Sequence, residues 1–168
     1  MTICSHERHL VFEEDSVRQV IEWAWNQIPS HFAHARTDAF VVMPNHVHGI
    51  LVFQRIPDRV MVGAQHAGRL PSDKRDAASP LSTVIRSFKA AVTRELRLRD
   101  LWDDQPLWQR NYHDRVIRDP EELSRIREYI AYNPIAWQYD HENPKRQQDK
   151  VHVQRWAWIE NPVLSEIN

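Results

Sequence analysis

Apolar and polar positions change period several times along the chain, and each change predicts an element. Thr2 to Cys4 and His9 to Phe12 read as short extended pieces around a polar turn at Ser5 to Arg8. From Asp15 the spacing is helical. Val17, Val20, Ile21, Trp23, Ala24 and Ile28 follow the i, i+3, i+4 rule, Asp15 or Ser16 can cap the start, and Pro29 marks the end. Ala39 to Phe53 then reads AFVVMPNHVHGILVF, two apolar runs about a Pro-Asn pair. This predicts a hairpin with strands at Ala39 to Met43 and His46 to Phe53, its proline and asparagine suited to the two central turn positions. The second strand has Val47, Leu51 and Phe53 on one face and Ile50 and Val52 on the other, the pattern of a central strand covered on both sides.

Gln54 to Ser79 mixes glycine, proline and charge without periodicity and reads as a long mobile loop. Ser79 and Pro80 give a cap followed by proline in the first turn, and Leu81 to Leu98 is helical with Val84, Ile85, Phe88, Val92 and Leu96 as its apolar stripe. Leu107 to Ile117 has alternation compatible with a strand. Asp119-Pro120 repeats the cap-then-proline signature, opening a helix from Glu121 to Tyr132 that Asn133-Pro134 should end. The order β, α, hairpin, α, β, α predicts an α+β domain of ferredoxin-like, split βαβ type, with helices packed on a central antiparallel sheet. One domain over residues 1–134 is expected, followed by a tail, 135–168, whose Trp137, Trp156 and Trp158 anchor it to the domain surface.

Composition adds limits. A single cysteine, Cys4, excludes a disulfide framework or a cysteine-built zinc site within one chain. No apolar run approaches the roughly 20 residues that span a bilayer, and MTICSHERHL lacks the apolar stretch of a signal peptide, so a cytoplasmic protein is expected, with no membrane partner. The formal net charge of -1 means that any nucleic-acid affinity must come from locally placed charge. A strand that begins at residue 2 is abrupt, and a longer edge strand is expected ahead of it.

The candidate chemistry lies in the hairpin. His46 and His48 are spaced i, i+2 on a strand, so both imidazoles project from one face, as a divalent metal would need. By itself such a pair is more often packing or surface than a ligand set. A catalytic ion usually takes at least three protein ligands. Tyr129 and Asn133 are four apart on the last helix and share a face; if that face packs over the histidines, Asn133 supplies an oxygen donor and Tyr129 a phenol beside the ion. A nitrogen and oxygen shell suits Mg2+ or Mn2+, and a phenol beside a metal-polarised phosphate can act as a nucleophile for phosphoryl transfer.

Met43-Pro44-Asn45-His46-Val47-His48-Gly49, Ser87-Phe88-Lys89 with Val92-Thr93-Arg94, Trp108-Gln109-Arg110-Asn111-Tyr112-His113-Asp114, and Tyr129-Ile130-Ala131-Tyr132-Asn133-Pro134 together resemble the REP-associated tyrosine transposases. These belong to the single-tyrosine HUH transposase superfamily, in which U is a hydrophobic residue. The resemblance runs in order from about Thr2 to Trp137. It implies a nuclease domain that cuts and rejoins single-stranded DNA near hairpins through a 5'-phosphotyrosine link, with His46 and His48 as metal ligands, Tyr129 as nucleophile and Asn133 as the further ligand. Many relatives carry glutamine where Asn133 stands, and their leading strand is longer. No small-molecule cofactor is implied, and either a monomer or a homodimer fits.

The helix from Leu81 carries Arg86, Lys89, Arg94 and Arg97 opposite its apolar stripe. Such a face is most often simply solvated; in a DNA enzyme Arg86, Lys89 and Arg94 would track phosphates, Arg110 and Arg115 would extend the path, and Trp108 is the candidate for base stacking. Two other readings stay open. One is a catalytically inactive, domesticated DNA-hairpin binding protein, favoured by the abrupt start and the neutral charge. The other is a metallohydrolase with a water nucleophile.

Overall fold

The computed structural model describes residues 1–54, 80–140 and 142–147. The expected loop from Gln54 to Ser79, apart from Gln54 itself, lies outside these residues, as do Trp156 and Trp158.

The first strand, β1 (Thr2–Cys4), leads through 3-10 turns at His6–Arg8 and Val11–Glu13 to helix α1 (Asp15–Asn26) and one further turn, α2 (Ile28–His31). The hairpin strands are β2 (Ala35–Val42) and β3 (His46–Phe53); they are followed by helix α3 (Pro80–Leu98), helix α4 (Pro120–Ala136) and a 3-10 turn at Trp137–Tyr139. The three strands form an antiparallel sheet in the order β1-β3-β2, so the histidine strand is central, as its two-sided apolar pattern predicts. The result is an α+β domain with helices packed on an antiparallel sheet. Coverage of β3 is complete only from His46 to Ile50; Val52 and Phe53 emerge partly into solvent.

The two sheet faces carry different helices. On one face α1 and α3 pack their stripes, Val17, Val20, Ile21, Trp25, Val84, Phe88 and Val92, around Val47. On the other face α4 packs Tyr129 and Ile130 on Ile50, with Ala39 and Val41 beside them. Period-two alternation on β3 sorts its residues between these layers, and the even positions His46, His48 and Ile50 therefore face α4. Gly49 points the other way, where the six-membered ring of Trp25 lies so close that a built Cβ would stand 2.5 Å from one of its carbons. That ring stacks on Phe40 at 4.3 Å and meets Phe88 edge-on at 5.9 Å.

Four local expectations need correction. The piece at His9 to Phe12 is not a strand: Leu10 opens a 3-10 turn, and Phe12 N–H bonds to Pro44 O at 2.9 Å, tying this turn to the hairpin. In α1 the buried tryptophan is Trp25, while Trp23 is exposed. Trp25 is four residues from Ile21 and three from Ile28, so it falls in the centre of the stripe, whereas Trp23 falls at its edge. Leu107 to Ile117 is not a regular strand either. It follows the free edge of β1 through two isolated bridges, Ser5 with Trp108 and Thr2 with His113. Between them the outer segment has more residues than β1 can pair, and the surplus turns its carbonyls outward. Lys89 takes two of these, Gln109 O at 2.7 Å and Asn111 O at 3.1 Å.

Finally, Asn133-Pro134 does not stop α4, which continues to Ala136 with Pro134 inside it. Proline removes one N–H and crowds the preceding turn, but burial of Tyr129, Ile130, Asn133 and Ala136 along one face holds the helix together past it. Its start is as expected, with the Asp119 carboxylate accepting from Glu122 N at 2.7 Å.

The Trp25 contact gives a direct test. Gly49→Ala should destabilise the fold by about 1–3 kcal/mol through overpacking against a buried ring, measured by chemical denaturation. An unchanged midpoint would mean that the tryptophan yields at no cost.

Candidate active site

β3 delivers His46 and His48 onto the α4 face with their Nε2 atoms 2.9 Å apart. Each ring is held from behind by its Nδ1. His46 Nδ1 meets Asn45 Oδ1 at 2.8 Å, and His48 Nδ1 meets Thr2 Oγ1 at 2.8 Å across the β1–β3 pair. The proton positions follow from the partners. Asn45 Nδ2 donates to Arg8 O at 3.2 Å and to Glu142 O at 2.9 Å, so its amide orientation is fixed and its oxygen must accept. His46 Nδ1 therefore carries the proton, and its Nε2 presents a lone pair. Thr2 can donate or accept, which leaves His48 free to exchange tautomers. With its Nε2 protonated it donates to His46; with Nδ1 protonated both Nε2 lone pairs converge on one point.

That donor set fits a divalent ion. Two ligands at right angles, each about 2.1 Å from an ion, lie about 3 Å apart, which matches the observed separation. A hydrogen-bonded residue behind each ligating imidazole is the usual arrangement for fixing its tautomer. Among the described residues no compact cluster of three His, Cys, Asp or Glu side chains is already gathered. Other oxygen donors are near. Asn133 is buried one turn after Tyr129, and the buried Asp140 places Oδ2 4.0 Å from His46 Nε2.

Tyr129 is almost fully buried, and its ring lies 5.2 Å from that of His48 in an edge-on arrangement. The helix thus docks over the histidines of its own chain. A bulge positions it: the β2–β3 register shifts between Thr37 and Phe40, which re-aims Asp38 toward α4. Arg127, two residues before the tyrosine, grips Asp38 in a fork with contacts of 3.1 and 2.6 Å. This hydrogen bond, more than simple charge attraction, holds the Asp38 carboxyl below its ordinary range.

The basic residues separate into two groups. Arg86, Arg94 and Arg110 are exposed. Lys89 is committed to the two outward carbonyls, and burial pushes its pKa down. Arg115 pairs with the buried Glu122 at 2.7 Å. Trp108 packs against Phe12 and Phe88 and donates Nε1–H to Lys89 O at 3.2 Å, so one edge anchors in the core while the ring lines an open groove with Thr93, Arg94 and Arg97.

Sequence reasoning missed Asn45, Thr2, Trp137 and Asp140. Asn45 stands inside a motif, but its sequence context marks only a turn residue. Trp137, whose ring lies 6.1 Å from that of His46, was placed in a surface tail. Asp140 carried no signal, because nothing local distinguishes a buried carboxylate that follows a helix.

A histidine pair on the central strand of an antiparallel sheet, with a tyrosine from the last helix against it, defines a class of α+β domain, and comparisons narrow it. No family model matches the chain. An uncharacterized protein of Haemophilus influenzae is 32% identical over 151 residues, covering 83% of this chain and 81% of that one. A second protein of Haemophilus influenzae, named provisionally as a REP-associated tyrosine transposase, is 23% identical over 120 residues, 69% of this chain and 58% of its own length. Among solved structures, a REP-associated tyrosine transposase bound to a REP hairpin superposes with a TM-score of 0.55 and 18% identity, covering 81% of this chain and 65% of that chain. The chain belongs to one family with the first Haemophilus protein, and its fold is that of the REP-associated tyrosine transposases, the resemblance its motifs carry. It spans less than two thirds of the two transposases it resembles. No helix among the described residues is long and apolar enough to cross a membrane.

Two predictions follow from these contacts. Asn45→Ala should cost about 1–3 kcal/mol in unfolding experiments, because it removes the partner of the buried His46 N–H and of the Arg8 and Glu142 carbonyls; a neutral result would mean that water replaces the amide. The Asp38 contribution depends on acid in a defined direction. A lowered folded pKa contributes stability that is fully present above the ordinary value of 3.8 and is lost as pH falls through the lower folded value. The stability difference between the wild type and Asp38→Asn should therefore be constant at neutral pH and shrink below that range. A difference that grew in acid would contradict this.

Proposed function

We propose that the chain cleaves and rejoins single-stranded DNA beside a hairpin, with Tyr129 as the nucleophile and a Mg2+ or Mn2+ ion held by His46 and His48. The observation that carries this reading is the approach of the Tyr129 ring to His48 within one chain, beside the pair of imidazole nitrogens that lie 2.9 Å apart. When bound, the ion supplies positive charge against the scissile phosphate. The residues of the chain supply the rest. The Tyr129 phenol gives its proton to water, Oη attacks phosphorus, the O–P bond forms, the bond to the 3' oxygen breaks, and the 3' strand leaves as a hydroxyl by taking a proton from water. The product is a 5'-phosphotyrosine, and attack by a 3'-hydroxyl reverses the step and rejoins DNA. An unperturbed phenol has a pKa of about 10, so the attacking form needs stabilisation, which a neighbouring cation provides.

The hairpin-bound solved transposase supports hairpin DNA as the substrate class. Arg86, Arg94 and Arg110 are the exposed cations in this chain suited to phosphates, and the Trp108 groove offers an aromatic surface beside Arg94. Lys89 and Arg115 already serve the fold, so their contribution to DNA is expected to be smaller. The approach of Tyr129 to its own chain's histidines supports a site complete within one monomer.

The test is trapping of a covalent adduct between the full chain and a labelled single-stranded oligonucleotide containing a hairpin. Adduct should form with Mg2+ or Mn2+, disappear with a chelator, and be absent in Tyr129→Phe. Undiminished adduct in that variant would remove Tyr129 as nucleophile. Tight hairpin binding without adduct under any divalent ion would instead establish an inactive, DNA-binding relative.

A further inference from the structure

The 3-10 turn that follows α4 brings a carboxylate close to His46. The backbone leaves helical geometry at Asp140, with φ -62 and ψ 135, and its amide closes the turn on Trp137 O at 3.1 Å. The side chain then folds back on its own backbone: Oδ1 accepts from Glu142 N at 2.8 Å. One carboxylate oxygen is thus fixed by a local bond, and the other, Oδ2, lies 4.0 Å from His46 Nε2. Asp140 is 5% exposed and His46 1%.

We propose that Asp140 is the acidic ligand that completes the divalent-ion site with His46 and His48. The inference rests on the metal-dependent reading above and assigns to it a residue outside the tyrosine helix. The spacings support it. Asp140 Oδ2 lies 4.0 Å from His46 Nε2, near enough for both to reach one ion. The histidine pair has the spacing of neighbouring ligands, as described above. One network also sets both donors, because Asn45 Oδ1 orients His46, Asn45 Nδ2 holds Glu142 O, and Glu142 N holds Asp140 Oδ1. An ion pair between Arg8 and Glu142 fastens the same turn to the start of the chain. A carboxylate adds the negative charge and hard oxygen that Mg2+ and Mn2+ favour, whereas an amide such as that of Asn133 adds only a dipole.

The experiment is Mn2+ binding to the full chain without DNA, followed by titration calorimetry and by the electron paramagnetic resonance signal of free Mn2+. Asp140→Asn should weaken Mn2+ by at least about tenfold, the scale on which even outer-shell changes act on metal affinity. The asparagine keeps an oxygen for Glu142 N–H, so the turn should survive, and matching thermal melts of the metal-free proteins would show it. Asp140→Glu should recover part of the affinity, and Asn133→Ala should change it less than threefold. Wild-type affinity in Asp140→Asn, with His46→Ala non-binding, would overturn the assignment of Asp140 while leaving the two-histidine site intact. Wild-type affinity in His46→Ala would overturn the site itself and this inference with it.

Discussion

The amide of Asn45 is the constraint on which the site depends. It is buried at the tip of the β2–β3 turn, where it cannot trade its hydrogen bonds for water, so each must be made inside the protein. Its nitrogen joins the turn after β1 to the turn after α4, and its oxygen fixes the proton on His46. Its backbone carbonyl accepts from Ser5 N at 2.8 Å, so the same residue also holds the first strand's exit. A side chain that bonds three separate segments makes the tautomer of one imidazole depend on the closure of the whole domain. The tautomer of His46 is thus a consequence of tertiary structure, although the histidine is adjacent in sequence.

The sheet divides labour between its faces. α1 and α3 bury most of the apolar surface on one side, and the close approach of Trp25 to Gly49 shows how little slack that layer has. α4 covers the other side with a smaller cluster and compensates with the fork between Arg127 and Asp38. Polar attachment fixes the direction of the tyrosine helix over the buried histidines. The cost is dependence on a bulge, without which Asp38 would alternate to another direction along β2.

Electrostatics distinguish the cations of a chain whose net charge is almost neutral. Cations that read alike in sequence differ in what they already hold. Lys89 closes the gap left by irregular pairing beside β1, and Arg115 neutralises a buried glutamate, whereas Arg86, Arg94 and Arg110 remain at the surface. A cation that is already bonded must give up that bond to take a phosphate, so its net contribution to binding is small. The tryptophan beside these groups is half core and half groove, with its N–H already used by the α3 backbone.

Elements whose cause is local were legible in the chain. The bounds of β3, the cap and proline at Asp119-Pro120, the stripe of α3 and the placement of His46 and His48 on one face all follow from period, capping and alternation within a few residues. The motif set added the fold and the pairing of Tyr129 with the histidines, about 80 residues apart in sequence. What could not be read locally depends on partners far along the chain. Whether 107–117 pairs regularly with β1, whether α4 survives Pro134, which tryptophan of α1 is buried and which cations stay exposed are each set by the segment packed opposite. Asp140 is the clearest case: in sequence it is one acid in a polar tail, and only the turn after α4, closed by Asn45 and Glu142, brings its oxygen to His46. The sequence by itself determined which side chains could carry the chemistry, because side-chain type and strand alternation are local properties. Tertiary structure decided which of them meet, because hydrogen bonds between distant segments form only when the core on both sheet faces has closed.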